Sequence, residues 1–278
     1  MIEPVLNTPA QLISLVASLG IALSACEELV MRRMYSDGGL LSWRVLRVAR
    51  PRSALPWLQA RLDELFRPRA YVALVVLKLA TALTLLTLSL VDPHARLAIG
   101  LLAAAMLTHL LLMKRRSVYG LDGADQMFAV VFLGLAVYEL MPVGSVGSTA
   151  GLVYVGAQAV LSYLIAGGAK LRGPSWRDGS AMAGILSTKI YGNTRAAAML
   201  KDRVAIGRIF CWSVITFELT FVVVLFVDRP VMWVMLGLGM LFHAGIAALM
   251  GLNSFFFAFV ATYPAVAYLN ALLHLFQQ

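Results

Sequence analysis

Charge is scarce in this 278-residue chain: Asp, Glu, Lys and Arg together make up 13% of it, while 60% is hydrophobic. A soluble domain carries roughly a quarter charged residues. With so little polar surface the chain cannot cover a water-facing globule, which points to an apolar exterior in lipid. Basic residues are missing from the first 31 positions. A secretory signal peptide needs a basic stretch ahead of its apolar core, so none is expected. Cysteine is also rare, with Cys26 and Cys211 both in apolar segments. A disulfide framework is therefore not implied, and two small buried hydrophobes are expected. No His-Glu-x-x-His, Cys-x-x-Cys or Gly-rich phosphate loop occurs, so no metal site is expected.

What the chain has is a series of long apolar runs. A helix crosses a bilayer of about 30 Å with about 20 residues at 1.5 Å each. Eight runs meet that length or approach it: 9–27, 70–91, 96–113, 126–141, 149–168, 206–227, 231–249 and 253–275. The expected fold is therefore an all-α polytopic bundle over 1–278, with about eight transmembrane helices and no separate soluble domain. Seven spans, with the last segment lying in the interface, is the alternative. Pro264 should kink the eighth run and free a carbonyl one turn back.

The net charge of +9 is unevenly placed. Loop 28–69 holds nine arginines, the turn 114–125 holds three basic residues, and eight lie between residues 170 and 208. The intervening turns hold Arg96, none, and Arg229. The positive-inside rule then places 28–69, 114–125 and 170–206 in the cytoplasm and the N-terminus outside. Basic residues that flank apolar spans orient the chain in the bilayer, and no nucleic-acid partner is expected. Within loop 28–69, residues 54–66 set Trp57, Leu58, Leu62, Leu65 and Phe66 on one helical face, suited to the headgroup region. Thr194 is placed to cap a helix over 195–206.

Ionisable groups at membrane depth are costly and each needs a reason. Lys78 has a stem long enough to snorkel to the cytoplasmic interface. His109 lies near the basic end of the third run, and Glu139 near the outer end of the fourth, in reach of headgroups. Glu218 sits mid-span, cannot snorkel, and calls for a partner or a cavity. His243 lies mid-span beside Phe242. Two polar stretches stand at span ends. One is Tyr119-Gly-Leu-Asp122-Gly-Ala-Asp125-Gln126-Met127. The other is Tyr163-Leu-Ile-Ala-Gly-Gly-Ala-Lys170-Leu, followed by Trp176-Arg-Asp-Gly179. Gly167 and Gly168 permit close helix approach. A lysine drawn partly out of water becomes a usable base in its neutral form.

The run Tyr-x-x-Ala-Gly-x-x-Lys-Leu with its Trp-x-x-Gly resembles the vitamin K-dependent γ-glutamyl carboxylase family and its bacterial relatives, the horizontally transferred transmembrane (HTTM) domain proteins. Asp122-Gly-Ala-Asp125-Gln126 is similar to a polar turn of the bacterial members, and His243 through Phe255 to a segment where a histidine precedes a Gly- and Phe-rich turn. In the carboxylases the lysine deprotonates reduced vitamin K. Oxygen then adds, and the strong base so formed takes a glutamate γ-proton before carbon dioxide is captured. The resemblance thus implies Lys170 as base; the enzyme reading adds Glu218 or His243 as a polar partner, and Asp122, Asp125, Gln126 and Trp176 as substrate or cofactor contacts. It also implies a reduced, vitamin K-like quinone as cofactor and a bacterial inner membrane as location. Lys114-Arg-Arg-Ser117 stands where the carboxylases carry a histidine, and Lys170 falls at a cytoplasmic span end although their reaction faces the lumen. Two other readings compete. One is a non-catalytic membrane component of peptide maturation or export, with a peptide substrate or partner membrane protein. The other is a transporter using Glu218 and His243 as a proton path.

Overall fold

The computed structural model describes residues 9–49, 55–114, 123–189, 192–201 and 203–275, and among these there is no β-strand. Among the described residues eight helical stretches are long and apolar enough to cross a membrane: Pro9–Val30, Pro68–Val91, Arg96–Met113, Gly123–Leu140, Val146–Arg172, Val204–Leu225, Arg229–Met250 and Asn253–Leu275. The chain is an all-α, multi-pass membrane protein with eight candidate spans among the described residues. Many large apolar side chains along the spans are exposed, among them Leu77, Leu101, Ile165, Ile209 and Leu241, as lipid-facing surfaces require.

In chain order the helices are α1 (Pro9–Val30), α2 (Trp43–Leu46), α3 (Pro56–Leu65), α4 (Pro68–Val91), α5 (Arg96–Lys114), α6 (Gly123–Leu140) and α7 (Val146–Arg172). They continue as α8 (Pro174–Asp178), α9 (Ser180–Leu186), α10 (Thr194–Lys201), α11 (Val204–Thr220), α12 (Arg229–Met250), α13 (Asn253–Val260) and α14 (Tyr263–Leu275). Pro56, Pro68, Pro174 and Pro230 each stand at the start of a helix, where the missing N–H costs nothing. Of the described residues, 14–151 form one compact unit, and 9–13 with 152–275 form the other.

Unit 14–151 is locked by polar contacts between its spans. Lys78 does not snorkel. It is buried and pairs with Glu28 of α1, whose second oxygen accepts the Tyr71 hydroxyl at 2.8 Å. Glu139 does not reach headgroups either. It is buried and pairs with Arg96 at 3.0 Å. Arg96 also donates to the carbonyls of Tyr138 and Met141 and stacks over the Tyr138 ring. Ser89 donates to Ser14 at 2.7 Å. His109 is buried, and its Nε2 has no hydrogen-bond partner.

The expected headgroup helix is α3, but its apolar face is partly spent on protein. Leu62 and Phe66 are buried with Trp43, Leu46, Tyr71 and Val75, with Leu58 packed against them. Trp57 alone of that stripe is largely exposed, at 63%. Asp63 ties the cap together, accepting from Trp43 Nε1 at 2.9 Å and Gln59 Nε2 at 3.1 Å.

Unit 9–13 with 152–275 departs from the expected elements in the extent and the cap of one helix, and keeps the kink expected at Pro264. The helix expected over 195–206 is two helices, because the chain leaves helical geometry at Arg203 (φ −121°, ψ 61°) before α11. Its cap is Asn193, not Thr194: Asn193 Oδ1 accepts from Ala196 N–H at 3.1 Å. Pro264 breaks the last span at Ala261–Thr262, and the Thr262 hydroxyl donates to the Phe259 carbonyl at 2.6 Å. Cys211 is buried as expected, whereas Cys26 of the other unit is exposed; both are free thiols.

Two glycines seat α9 against α11. A Cβ on Gly207 would fall 2.6 Å from the Gly179 carbonyl oxygen, and one on Gly179 (φ +93°) 2.5 Å from the Arg208 nitrogen. Gly184, inside α9, faces open space. Gly179→Ala and Gly207→Ala should each cost about 1–3 kcal/mol by forcing backbone apart. Gly184→Ala should be neutral or gain up to about 1 kcal/mol. Melting of the detergent-solubilised variants checks this, and equal losses at all three sites would contradict the packing described.

Candidate functional site

The site grows from one face of α7. Residues 163, 167 and 170 are four and three apart, so they line up along a helix of 3.6 residues per turn. Gly167 is the contact point. A Cβ there would lie 3.0 Å from Glu218 Cβ and 3.0 Å from the Leu219 nitrogen, so the missing side chain brings α11 close enough to deliver Glu218.

Lys170 Nζ donates to both oxygens of Glu218, each at 2.7 Å. The carboxylate side chain is 5% exposed and that of the lysine 22%. The partner that a mid-span Glu218 calls for is therefore Lys170. Trp176, carried back by the Gly173–Pro174 turn onto α8, sets its ring 5.2 Å from the ammonium. Two backbone contacts hold α8 there. Trp212 Nε1 donates to the Arg177 carbonyl at 3.3 Å, and Arg208 Nε to the Asp178 carbonyl at 3.4 Å. Asp178 lies outside the spans, and hydrogen bonds from the Ser180 side chain and backbone N–H hold its carboxyl below the usual range.

The structure thus brings Lys170, Glu218 and Trp176 together. His243 is engaged elsewhere. Its Nε2 lies 2.6 Å from the Tyr163 hydroxyl, which lies 2.9 Å from the hydroxyl of Tyr263. Aromatic rings wrap this chain: Phe221 and Phe259 against Tyr163, with centroids at 4.0 and 5.5 Å, and Phe259 stacked on His243 at 4.4 Å. Gly239 gives the Tyr263 hydroxyl its space, since a Cβ there would collide with it. Tyr163 lies about 10 Å along α7 from Lys170, two turns away. Asp125 and Gln126 belong to unit 14–151, in the first turn of α6. Asp122 lies outside the described residues.

Sequence reasoning passed over Tyr163 and Tyr263 as functional residues. The available signal was the seven-residue spacing of Tyr163 and Lys170, which puts both on one face. Among the described residues no three His, Cys, Asp or Glu side chains cluster to hold a metal. Comparison with protein-family models, curated proteins and solved structures finds no match to this chain.

Chemically, a lysine and a carboxylate in two-point contact hold one mobile proton between them. Shifting it along a 2.7 Å bond leaves a neutral amine beside a carboxylic acid. Removing one partner of a buried pair leaves a lone charge and costs about 3–5 kcal/mol, whereas replacing both by apolar groups costs far less. Lys170→Met should therefore destabilise the protein more than Lys170→Met with Glu218→Met. Thermal unfolding of single and double variants measures the coupling, and simple addition of the two losses would refute a tight pair.

Proposed function

We propose that this is a bacterial inner-membrane protein of the HTTM and carboxylase-like class, in which Lys170 and Glu218 act as a proton-transfer pair on a lipid-soluble quinol or a peptide. The observation that carries the reading is the bidentate contact of Lys170 with a buried carboxylate, at the lysine the resemblance singles out. A quinol hydroxyl is a weak acid, and a base acts best when its proton affinity is matched to the group it deprotonates. Glu218 holds the lysine's proton, the neutral amine accepts the quinol proton, and a quinolate and an ammonium result. Trp176, over the ammonium, offers an apolar face beside the charge.

A second reading rests on a different observation. Lys78–Glu28 and Arg96–Glu139 are pairs of the same kind, outside the motifs that carry the resemblance. On that reading Lys170–Glu218 is a third clasp between spans, and the protein is a non-catalytic component of peptide maturation or export. It then co-purifies with a partner protein and is indifferent to quinones.

Quinol-dependent oxygen uptake by the purified protein separates the two. The wild type should consume oxygen, and Lys170→Ala should lose at least 100-fold. Lys170→Arg keeps the ion pair but has no accessible neutral form, so it should insert, fold and remain inactive. Turnover by Lys170→Arg at the wild-type rate would sink the proton-transfer reading.

A further inference from the structure

Between α1 and α4, unit 14–151 carries more positive charge than its acids engage. Segment 31–69 holds three acids, and each meets an arginine: Asp37 with Arg44 at 3.4 Å, Asp63 with Arg47 at 3.6 Å and Glu64 with Arg61 at 3.8 Å. Glu27 and Glu28, at the end of α1, are engaged too, Glu28 by Lys78 and Tyr71. Arg32, Arg33, Arg67 and Arg69 remain. All four are exposed, and among the described residues none of their side chains has an ion pair or a hydrogen bond.

The fold gathers these four at two adjoining span ends. Arg32 and Arg33 open the short 3-10 turn just past α1, Arg67 caps α4, and Arg69 lies in its first turn. Tyr71 ties the two ends together: its hydroxyl bonds Glu28 of α1, and its ring lies 4.6 Å from that of Tyr35 in the 3-10 turn. An exposed apolar stripe runs up each span from its arginines. On α1, Leu19, Leu23 and Val30 share one face that ends beside Arg32. On α4, Ala73, Val76 and Ala80 follow Arg69 at spacings of four, three and four, all exposed. Orienting a span needs only basic residues on one side of the membrane. Here they are also grouped, exposed and without a counter-charge, at the foot of two lipid-facing stripes. Clustered basic residues beside a span end attract anionic headgroups. A free phosphate would use the arginines and leave the stripes; a phosphodiester that carries acyl chains uses both.

We propose that Arg32, Arg33, Arg67 and Arg69 bind the headgroup of an anionic phospholipid whose acyl chains lie along the exposed stripes of α1 and α4. The site belongs to unit 14–151 and stands under either reading of Lys170–Glu218.

The probes are phosphatidylglycerol and phosphatidylcholine with the same acyl chains, offered in equal amounts to the full chain in a neutral detergent. Native mass spectrometry should find the first retained lipid to be phosphatidylglycerol, by about fivefold or more. Glycerol 3-phosphate, a headgroup without chains, should not displace it at equal concentration. Arg33→Gln with Arg67→Gln should remove most of the preference. Arg44→Gln with Arg61→Gln removes the same charge from arginines of the same segment that already have partners, and should leave the preference in place. Equal retention of the two lipids by the wild type would overturn the proposal without any variant. Displacement by glycerol 3-phosphate, or equal loss of preference in the two folded double variants, would overturn it as well.

Discussion

A bilayer core offers no water to a charge, so every ionised group at membrane depth must find its counter-charge inside the protein. This chain meets the constraint with pairs. Glu28 meets Lys78, Glu139 meets Arg96, and Glu218 meets Lys170. Each pair joins residues far apart in sequence, so each also fixes which spans are neighbours. Carbonyls, hydroxyls and rings complete the solvation of these charges. Arg96 has two carbonyls and the Tyr138 ring, Glu28 has the Tyr71 hydroxyl, and Lys170 has the Trp176 ring.

The pairs are not equivalent in setting. Arg96–Glu139 is saturated by backbone and ring contacts at the end of α6, as a clasp would be. Lys170–Glu218 is built differently. Its lysine, as exposed as Arg96, is covered by the tryptophan of a five-residue helix. Close approach at Gly167 is what lets a short chemical distance exist there at all. On the same helix face Tyr163 carries the second polar group, enclosed by rings instead of paired by charge. One face of α7 thus presents an ionic end and a neutral, aromatic end, two chemistries separated by two helical turns.

Much of the architecture was legible because length and hydropathy decide it. All eight apolar runs became spans, with ends moved by a few residues, since a helix long and apolar enough to cross has few other options. What composition cannot reveal is pairing. Lys78 and Glu28 are 50 residues apart, and nothing local in either says that they meet. The stripe on α3 was visible, but its use for protein packing depends on Trp43 and Phe66 converging from different segments. At the site, Lys170, Glu218 and Trp176 were each singled out from the sequence, and their mutual contact was not. Tyr163 opened a run singled out from the sequence, but its hydroxyl gains a role only once His243 and Tyr263 are folded beside it. The end of the 195–206 helix was also invisible, because Arg203 is an ordinary helix former and nothing local in the sequence marks the break there.

Dipolar recoupling NMR between Lys170 ¹⁵Nζ and Glu218 ¹³Cδ, with the protein in lipid bilayers and Glu218→Gln to assign the signal, tests the central pairing most directly. The account predicts a strong coupling between an ammonium and a carboxyl carbon in hydrogen-bond contact. A bilayer-embedded, folded protein with no measurable coupling between those two nuclei would contradict it.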